Sequence, residues 1–311
     1  MSDLIFHHYA SSPFSEKVRL VFGYKDLAWK SVVIPVIMPK PDVTALTGGY
    51  RRTPILQIGA DVYCDTALIC RVVDRLHPQR TLYPAAAEGA ASILAQWADW
   101  ALFWSAIPYT MQPKGIGSVF GDTTPEALKA FSADRAAFTS GMRRATLKDA
   151  TAQLAVYLHW LENQLADGRK FLFGEAPSIA DFSVTHSVWF IRRAPEVADV
   201  LAPYAKLDAW HARMQAFGHG RHERLASPDA VAIAANTKEH APAEFDESQG
   251  FARDEPVNVS ATDYGADPVA GLLAGISNEE VVVRRNDARA GAVHVHFQRI
   301  GFQVKRAKTQ S

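Results

Sequence analysis

The sequence predicts an α/β domain, followed by an all-helical domain and a small β-rich extension. Strand and helix patterns alternate in residues 1–82, and Ala-rich helical patterns fill residues 83–226. Residues 227–311 begin as a linker and end in short strand-like segments separated by Gly, Asn and Asp. With 311 residues, 48% of them hydrophobic, the chain can bury more than one core.

In the first region the order of elements is βαβ followed by ββα. Strands are predicted at 4–8 and 29–36, a hairpin joins 55–58 to 62–64 around Gly59-Ala60-Asp61, and helices are predicted at 13–22 and 66–76. This order predicts one mixed sheet covered by helices, as in a thioredoxin-like domain.

The second region has helical periodicity throughout. Trp97, Trp100 and Trp104 are three and four residues apart, so they share a helix face, and further amphipathic helices are predicted at 151–165 and 178–193. Ser178 and Asp181 have the spacing of a capping box. A helical bundle is therefore expected.

The third region starts with residues 227–255, which are rich in Ala, Pro, Asp and Glu and show little periodicity. This composition predicts a linker. Five strand-like segments follow, and they are compatible with a barrel or with an open meander: 257–260, 269–273, 280–285, 292–297 and 302–305. Because a polar linker precedes them, we expect residues 227–311 to be removable without loss of the first two domains.

Composition and charge favour a small-molecule partner. The 33 basic residues balance the 33 acidic ones, so no net field attracts nucleic acid or an anionic membrane. No apolar segment reaches the roughly 20 residues of a membrane span, and the first ten residues lack the pattern of a secretion signal, so a cytoplasmic location is expected. Cys64 and Cys70 lack the spacing of a redox pair and are predicted to be core residues.

Three short motifs lie at the ends of predicted elements in the α/β domain. Ser12 precedes Pro13 at the start of the first helix, where its hydroxyl is either a cap or a functional group. Thr53-Pro54 precedes the third strand, and a cis proline there would present the backbone of Thr53 to an extended peptide, although it can simply begin a strand. Asp65-Thr66 lies between a strand and a helix, where the carboxylate either caps the helix or faces an ammonium group.

Together these motifs resemble the glutathione-binding site of cytosolic glutathione transferases. The run Ser12-Pro13-Phe14-Ser15-Glu16-Lys17-Val18-Arg19-Leu20 is similar to the active-site segment of the serine-type, tau-like class, and cysteine replaces this serine in omega-like classes. The resemblance covers residues 1–222. It implies that Ser12 is catalytic, with a glutathione site whose members are Lys40, Arg52, Thr53, Pro54, Asp65 and Thr66.

The resemblance implies a role in glutathione binding for each residue that occupies the position of a family contact. The backbone of Thr53, before Pro54, matches the residue that pairs with the cysteinyl backbone, and Asp65-Thr66 matches the Glu-Ser pair that holds the γ-glutamyl group, with a shorter carboxylate. Lys40 and Arg52 match basic residues that face the glycyl carboxylate.

The implied function is conjugation of glutathione, as co-substrate, to a small electrophile by a homodimer. Tyr9, Trp104 and Tyr109 are candidate walls of the electrophile pocket, with core packing as the alternative. A rival function is a non-catalytic glutathione-binding or protein-interaction module that uses the C-terminal β region. A thiol-transfer reductase is disfavoured, because the hydroxyl of Ser12 cannot form a mixed disulfide.

No metal site is expected. His294 and His296 alternate onto one face of a predicted strand, but the sequence offers no close Cys, Asp or Glu that completes a set of ligands.

Overall fold

The computed structural model describes residues 3–121 and 123–307 of the chain. Strands are formed by the following segments: β1 (Ile5–His8), β2 (Ala28–Val33), β3 (Ile55–Ile58), β4 (Asp61–Cys64), β5 (Arg221–Arg224), β6 (Pro256–Ala261), β7 (Val269–Ile276), β8 (Glu280–Asp287), β9 (Gly291–Gln298) and β10 (Phe302–Arg306).

Helices are formed by these segments: α1 (Pro13–Tyr24), α2 (Pro41–Thr47), α3 (Thr66–Leu76), α4 (Glu88–Trp97), α5 (Phe103–Thr110), α6 (Ile116–Phe120), α7 (Pro125–Phe138), α8 (Leu147–Gln164), α9 (Ile179–Arg192), α10 (Ala205–Gln215) and α11 (Ser227–Asn236). A π-helical turn, Ala98–Leu102, joins α4 to α5.

The first four strands and α1–α3 confirm the predicted thioredoxin-like domain. β1 pairs in parallel with β2 and antiparallel with β3, and β3 forms a hairpin with β4. The helices α4–α10 form the predicted helical domain, in which Ser178 and Asp181 make the predicted capping box at the start of α9.

The β-rich extension continues the sheet of the first domain. The strands are arranged in the order β10-β6-β7-β8-β9-β4-β3-β1-β2-β5. The junction is the parallel pair of β4 with β9, in which Asp61 lies opposite His294 and Cys64 opposite Phe297. The sequence leaves a barrel and an open meander possible. In the described part of the chain the five strands of the extension form neither, but join one sheet of ten strands.

The segment predicted as a linker is partly helical. Residues 227–236 form α11, whose Ala230, Val231 and Ala234 are buried. This helix packs against β9, β2 and α2. The sequence pattern did not predict this helix, because its small Ala side chains give little difference in hydrophobicity between the buried and exposed faces.

Two hydrophobic cores lie on opposite faces of the sheet. One joins α1 and α3 to the helical domain and includes Cys70. The other includes Cys64 and joins β3 and β4 to β6–β10 and α11. Both cysteines are fully buried, as predicted. Among the helices of the described residues, none combines the length and the apolarity needed to cross a membrane.

Candidate functional site

A cleft of about 830 Å³ lies where the thioredoxin-like domain meets the helical domain. It is lined from one side by the starts of α1 and α3 and the segment before β3, and from the other by α5 and α7. It brings together eight of the residues singled out in the sequence: Tyr9, Ser12, Arg52, Thr53, Pro54, Asp65, Thr66 and Trp104. Lys40 and Tyr109 do not line the cleft.

Ser12 lies at the N-terminus of α1, and the residue is only 2% exposed. Its Oγ accepts a hydrogen bond from the backbone N–H of Ser15 at 3.1 Å. The hydroxyl therefore caps the helix, as the simpler prediction required, and it retains its proton for donation. A donor at a positively polarised helix end favours a negatively charged partner in the cleft.

Thr53 and Pro54 are joined by a cis peptide bond, as predicted. Within residues 3–121 and 123–307, neither the backbone N–H nor the C=O of Thr53 makes a hydrogen bond. Unpaired backbone groups next to a strand can pair with an extended peptide. Thr53 thus presents both groups that such pairing needs.

Lys40 is hydrogen-bonded to the side chain of Thr53. Its Nζ donates a hydrogen bond to Thr53 Oγ1 at 3.0 Å. Burial, reinforced by the nearby positive charge of Arg135, lowers the pKa of Lys40 to about 8. Lys40 therefore contacts the side chain of Thr53, which lines the cleft, but does not line the cleft itself.

Asp65 lies between β4 and α3 with a φ of +79°, which is uncommon for any residue except glycine. Its Oδ1 accepts a hydrogen bond from the backbone N–H of Ala67 at 2.9 Å. Burial raises the pKa of Asp65, and the positive charges of Arg52 and Lys17 act in the opposite direction. Backbone conformations of this kind cluster at binding sites, where they aim a side chain.

A buried ion pair behind Asp65 was missed by the sequence analysis. The Nζ of fully buried Lys17 lies 2.6 Å from Asp99 Oδ2 and donates to Thr66 Oγ1 at 3.2 Å. His186 Nε2 lies 3.0 Å from Asp99 Oδ1. Although burial opposes it, the Asp99 charge keeps the pKa of Lys17 above its ordinary value. The sequence feature that could have indicated this ion pair is a lysine among the apolar residues of α1.

The C-terminal extension also contributes to the cleft through Tyr264, which the sequence analysis missed. The Nη2 of Arg52 donates to Asp263 Oδ1 and to the carbonyl oxygen of Tyr264. The Arg52 guanidinium lies 4.0 Å from the centre of the Tyr264 ring, and this ring packs edge-on against Trp104 at 5.2 Å. Arg52 therefore already has a carboxylate partner.

The expectation that no carboxylate accompanies His294 and His296 is wrong. Asp61 Oδ1 lies 2.9 Å from His296 Nε2 and 3.8 Å from His294 Nδ1. Glu280 Oε1 lies 2.6 Å from His296 Nδ1. Asp61 is more than 200 residues away in sequence, so only the pairing of β4 with β9 brings these groups together.

Known structures share this fold. A glutathione S-transferase from Rhodospirillum rubrum F11 aligns with a TM-score of 0.53 and 18% identity over 76% of this chain and 94% of its own. A serine-to-cysteine mutant of poplar glutathione transferase F1 aligns with a TM-score of 0.52 and 12% identity over 69% and 93%. At these identities the likeness concerns the fold alone. No curated protein matches the chain significantly.

Other comparisons extend to the sequence. The family model of the glutathione S-transferase N-terminal domain matches residues 6–81, and that of the C-terminal domain matches residues 144–213. A GST-like protein from Pseudomonas syringae is 42% identical and superposes with a TM-score of 0.82 over 99% of this chain and 100% of its own. Because it covers 99% of this chain, that match includes the β-rich extension, whereas the two alignments at lower identity leave about a quarter or more of the chain uncovered. The chain therefore belongs to the glutathione S-transferase family.

Proposed function

We propose that the protein is a glutathione transferase that conjugates the glutathione thiolate to a small electrophile. The observation that carries this proposal is the meeting, in one cleft, of the Ser12 hydroxyl and the unpaired backbone of Thr53. The cysteinyl backbone pairs with Thr53, the γ-glutamyl group binds Asp65 and Thr66, and the sulfur then faces Ser12.

Ser12 acts by stabilising negative charge. A free thiol has a pKa of about 8.5, so most of it is protonated at pH 7. A hydrogen bond from Ser12 and the N-terminus of α1 both favour the thiolate. Lowering the thiol pKa by about two units requires roughly 2.7 kcal/mol, which is within reach of these two interactions together.

The electrophile binds on the aromatic side of the cleft. Phe14, Phe103, Trp104 and Tyr264 line it, and the side chain of Tyr9, which also lines the cleft, lies within hydrogen-bonding range of Ser12. Burial raises the pKa of Tyr9, so its phenol stays protonated and can donate a hydrogen bond at neutral pH. The pocket therefore suits an apolar electrophile with one polar group.

Steady-state turnover of glutathione with aryl halides and other electrophiles tests this proposal. We expect thioether formation above the uncatalysed rate with at least one of them. Glutathione binding without turnover of any electrophile would instead support the second candidate function, a non-catalytic glutathione-binding or interaction module. The ion pair between Asp263 and Arg52 favours that second candidate, because this contact links the extension to the cleft.

On family grounds we also propose that the protein is a homodimer, which sedimentation would test.

Glutathione is expected to raise the melting temperature, because it binds the folded state only. At about 100 times the dissociation constant, the gain in the free energy of unfolding is roughly 2.7 kcal/mol. Asp65→Ala should remove most of this shift. The control is Thr146→Ala, which removes the N-cap of α8: it should cost about 1 kcal/mol of stability and leave the shift intact. An undiminished shift in Asp65→Ala would remove Asp65 from the site.

Asp263→Ala is expected to increase the affinity for glutathione. The variant frees Arg52 for the glycyl carboxylate, and one charge-assisted hydrogen bond of about 1.5 kcal/mol corresponds to roughly tenfold in affinity. Asp267→Ala is the matched control, because Asp267 lies 3.8 Å from Arg51 and is half exposed. Calorimetry would measure both. Unchanged or weaker glutathione binding in Asp263→Ala would mean that Arg52 binds the extension and does not bind glutathione.

A further inference from the structure

Three potential metal ligands meet at the junction between the first domain and the extension. Asp61 begins β4, His294 lies opposite it on β9, and His240 lies in the segment after α11. One ligand atom from each of the three residues lies within 4.8 Å of those of the other two. We call these three residues the junction triad. It does not include any residue of the glutathione cleft.

The distances in the junction triad fit a small coordination sphere. Asp61 Oδ1 lies 3.4 Å from His240 Nδ1 and 3.8 Å from His294 Nδ1. Ligands of a tetrahedral zinc ion are about 3.3 Å apart when each bond is about 2.05 Å long. Because a nitrogen lone pair lies in the plane of its ring, the two imidazoles would turn relative to each other to place all three atoms around one ion.

The imidazoles of His240 and His294 are stacked, and the Nδ1 atom of each is buried. The ring centres are 3.7 Å apart and the planes differ by 14°. Both Nδ1 atoms are shielded from solvent, yet neither makes a hydrogen bond to any of the described residues. Buried polar atoms normally have a partner, and an unsatisfied one requires an explanation such as an ion.

A surrounding network orients the carboxylate. Asp61 Oδ2 accepts a hydrogen bond from the backbone N–H of Ala241 at 2.9 Å. His296 bridges Asp61 to Glu280 through its two ring nitrogens, at 2.9 and 2.6 Å. Hydrogen-bonded ligands of this kind are typical of metal sites, where outer partners fix the ligand geometry.

We propose that the junction triad binds one divalent transition-metal ion of the zinc type. Two imidazoles and one carboxylate suit zinc and its neighbours, whereas Mg²⁺ and Ca²⁺ prefer oxygen ligands. Three protein ligands leave a fourth position for water. The ion links β4, β9 and the segment after α11, so it fastens the extension to the first domain.

The test uses the full chain without a polyhistidine tag, freed of metal by chelation and titrated with Zn²⁺ against a competing indicator. We expect one ion per chain, a rise in melting temperature with Zn²⁺ but not with Mg²⁺, and a visible absorption band of tetrahedral type with Co²⁺. His240→Ala should weaken Zn²⁺ binding at least tenfold. His159→Ala, which changes an exposed histidine of α8, should not.

His240 is the informative position because it lies outside the strands, so its variant should fold as the parent does; circular dichroism of both metal-free proteins checks this. Two outcomes would overturn the proposal. One is a parent chain that binds no Zn²⁺, and the other is a folded His240→Ala chain that binds Zn²⁺ as tightly as the parent.

Discussion

Ser12→Ala is expected to raise the pKa of the bound glutathione thiol by about one unit, because the N-terminus of α1 still stabilises the thiolate, with affinity largely unchanged. The variant loses the hydrogen bond to sulfur, whereas binding depends on Thr53, Asp65 and Thr66. At neutral pH the thiolate fraction, and with it the rate of conjugation, should fall about threefold. Titration of the thiolate by its ultraviolet absorbance reports the pKa directly. An unchanged pKa would transfer the role to Ser11, Ser15 or Tyr9.

The companion variant Ser12→Cys should form a mixed disulfide with oxidised glutathione. A thiol at a helix N-terminus has a lowered pKa, and its thiolate attacks disulfides. Mass spectrometry of the intact protein should show one added glutathione at position 12. The parent chain is the control, because its Cys64 and Cys70 are fully buried and should remain unmodified. Modification of those cysteines, or none at all, would remove Ser12 from the catalytic role.

Ending the chain after Ala226 is expected to abolish soluble folding, contrary to the expectation from the polar composition of residues 227–255. The cut removes β9 from β4 and uncovers Ile55, Val62 and Cys64 on one face of the sheet. Each buried apolar side chain of this size contributes about 1.5–3 kcal/mol to the free energy of unfolding. The summed contribution of the shared core therefore exceeds the typical total free energy of unfolding of a domain. A soluble chain of residues 1–226 that still binds glutathione would show that the extension is dispensable.

A graded version of the same test uses single substitutions. Phe297→Ala, in the shared core, should lower the free energy of unfolding by about 3–5 kcal/mol. Ile300→Ala is its control, because Ile300 is 62% exposed and should change stability by no more than about 0.5 kcal/mol. Denaturant unfolding would measure both. Equal effects would mean that the extension adds little to the core.

The features that the sequence predicted are local ones. The βαβ and ββα units, the cap at Ser12, the cis bond before Pro54 and the capping box at Ser178 all depend on residues close together in the chain. The short helix α2 between the two units was not predicted. Hydrophobic periodicity and cap chemistry act over a few residues, so one sequence is enough to read them.

The features that it could not predict depend on distant partners. A strand pattern does not specify its neighbour, so the pairing of β9 with β4 was invisible. The same holds for Lys17 with Asp99, for Arg52 with Asp263, and for Asp61 with His294, which are separated by 82 residues or more. The composition of residues 227–255 is that of a linker, and α11 is stable there because it packs on the sheet.

The order of strands has a consequence for association between molecules. Joining the extension to β4 moves the open edge of the sheet outward to β10, and β5 forms the other edge. Both edges carry exposed charges, with Lys305 and Arg306 on β10 and Arg-His-Glu-Arg along β5. Charged edges discourage the addition of further strands and hence fibrous aggregation. We therefore expect a symmetric assembly of this chain to use surfaces other than these two edges.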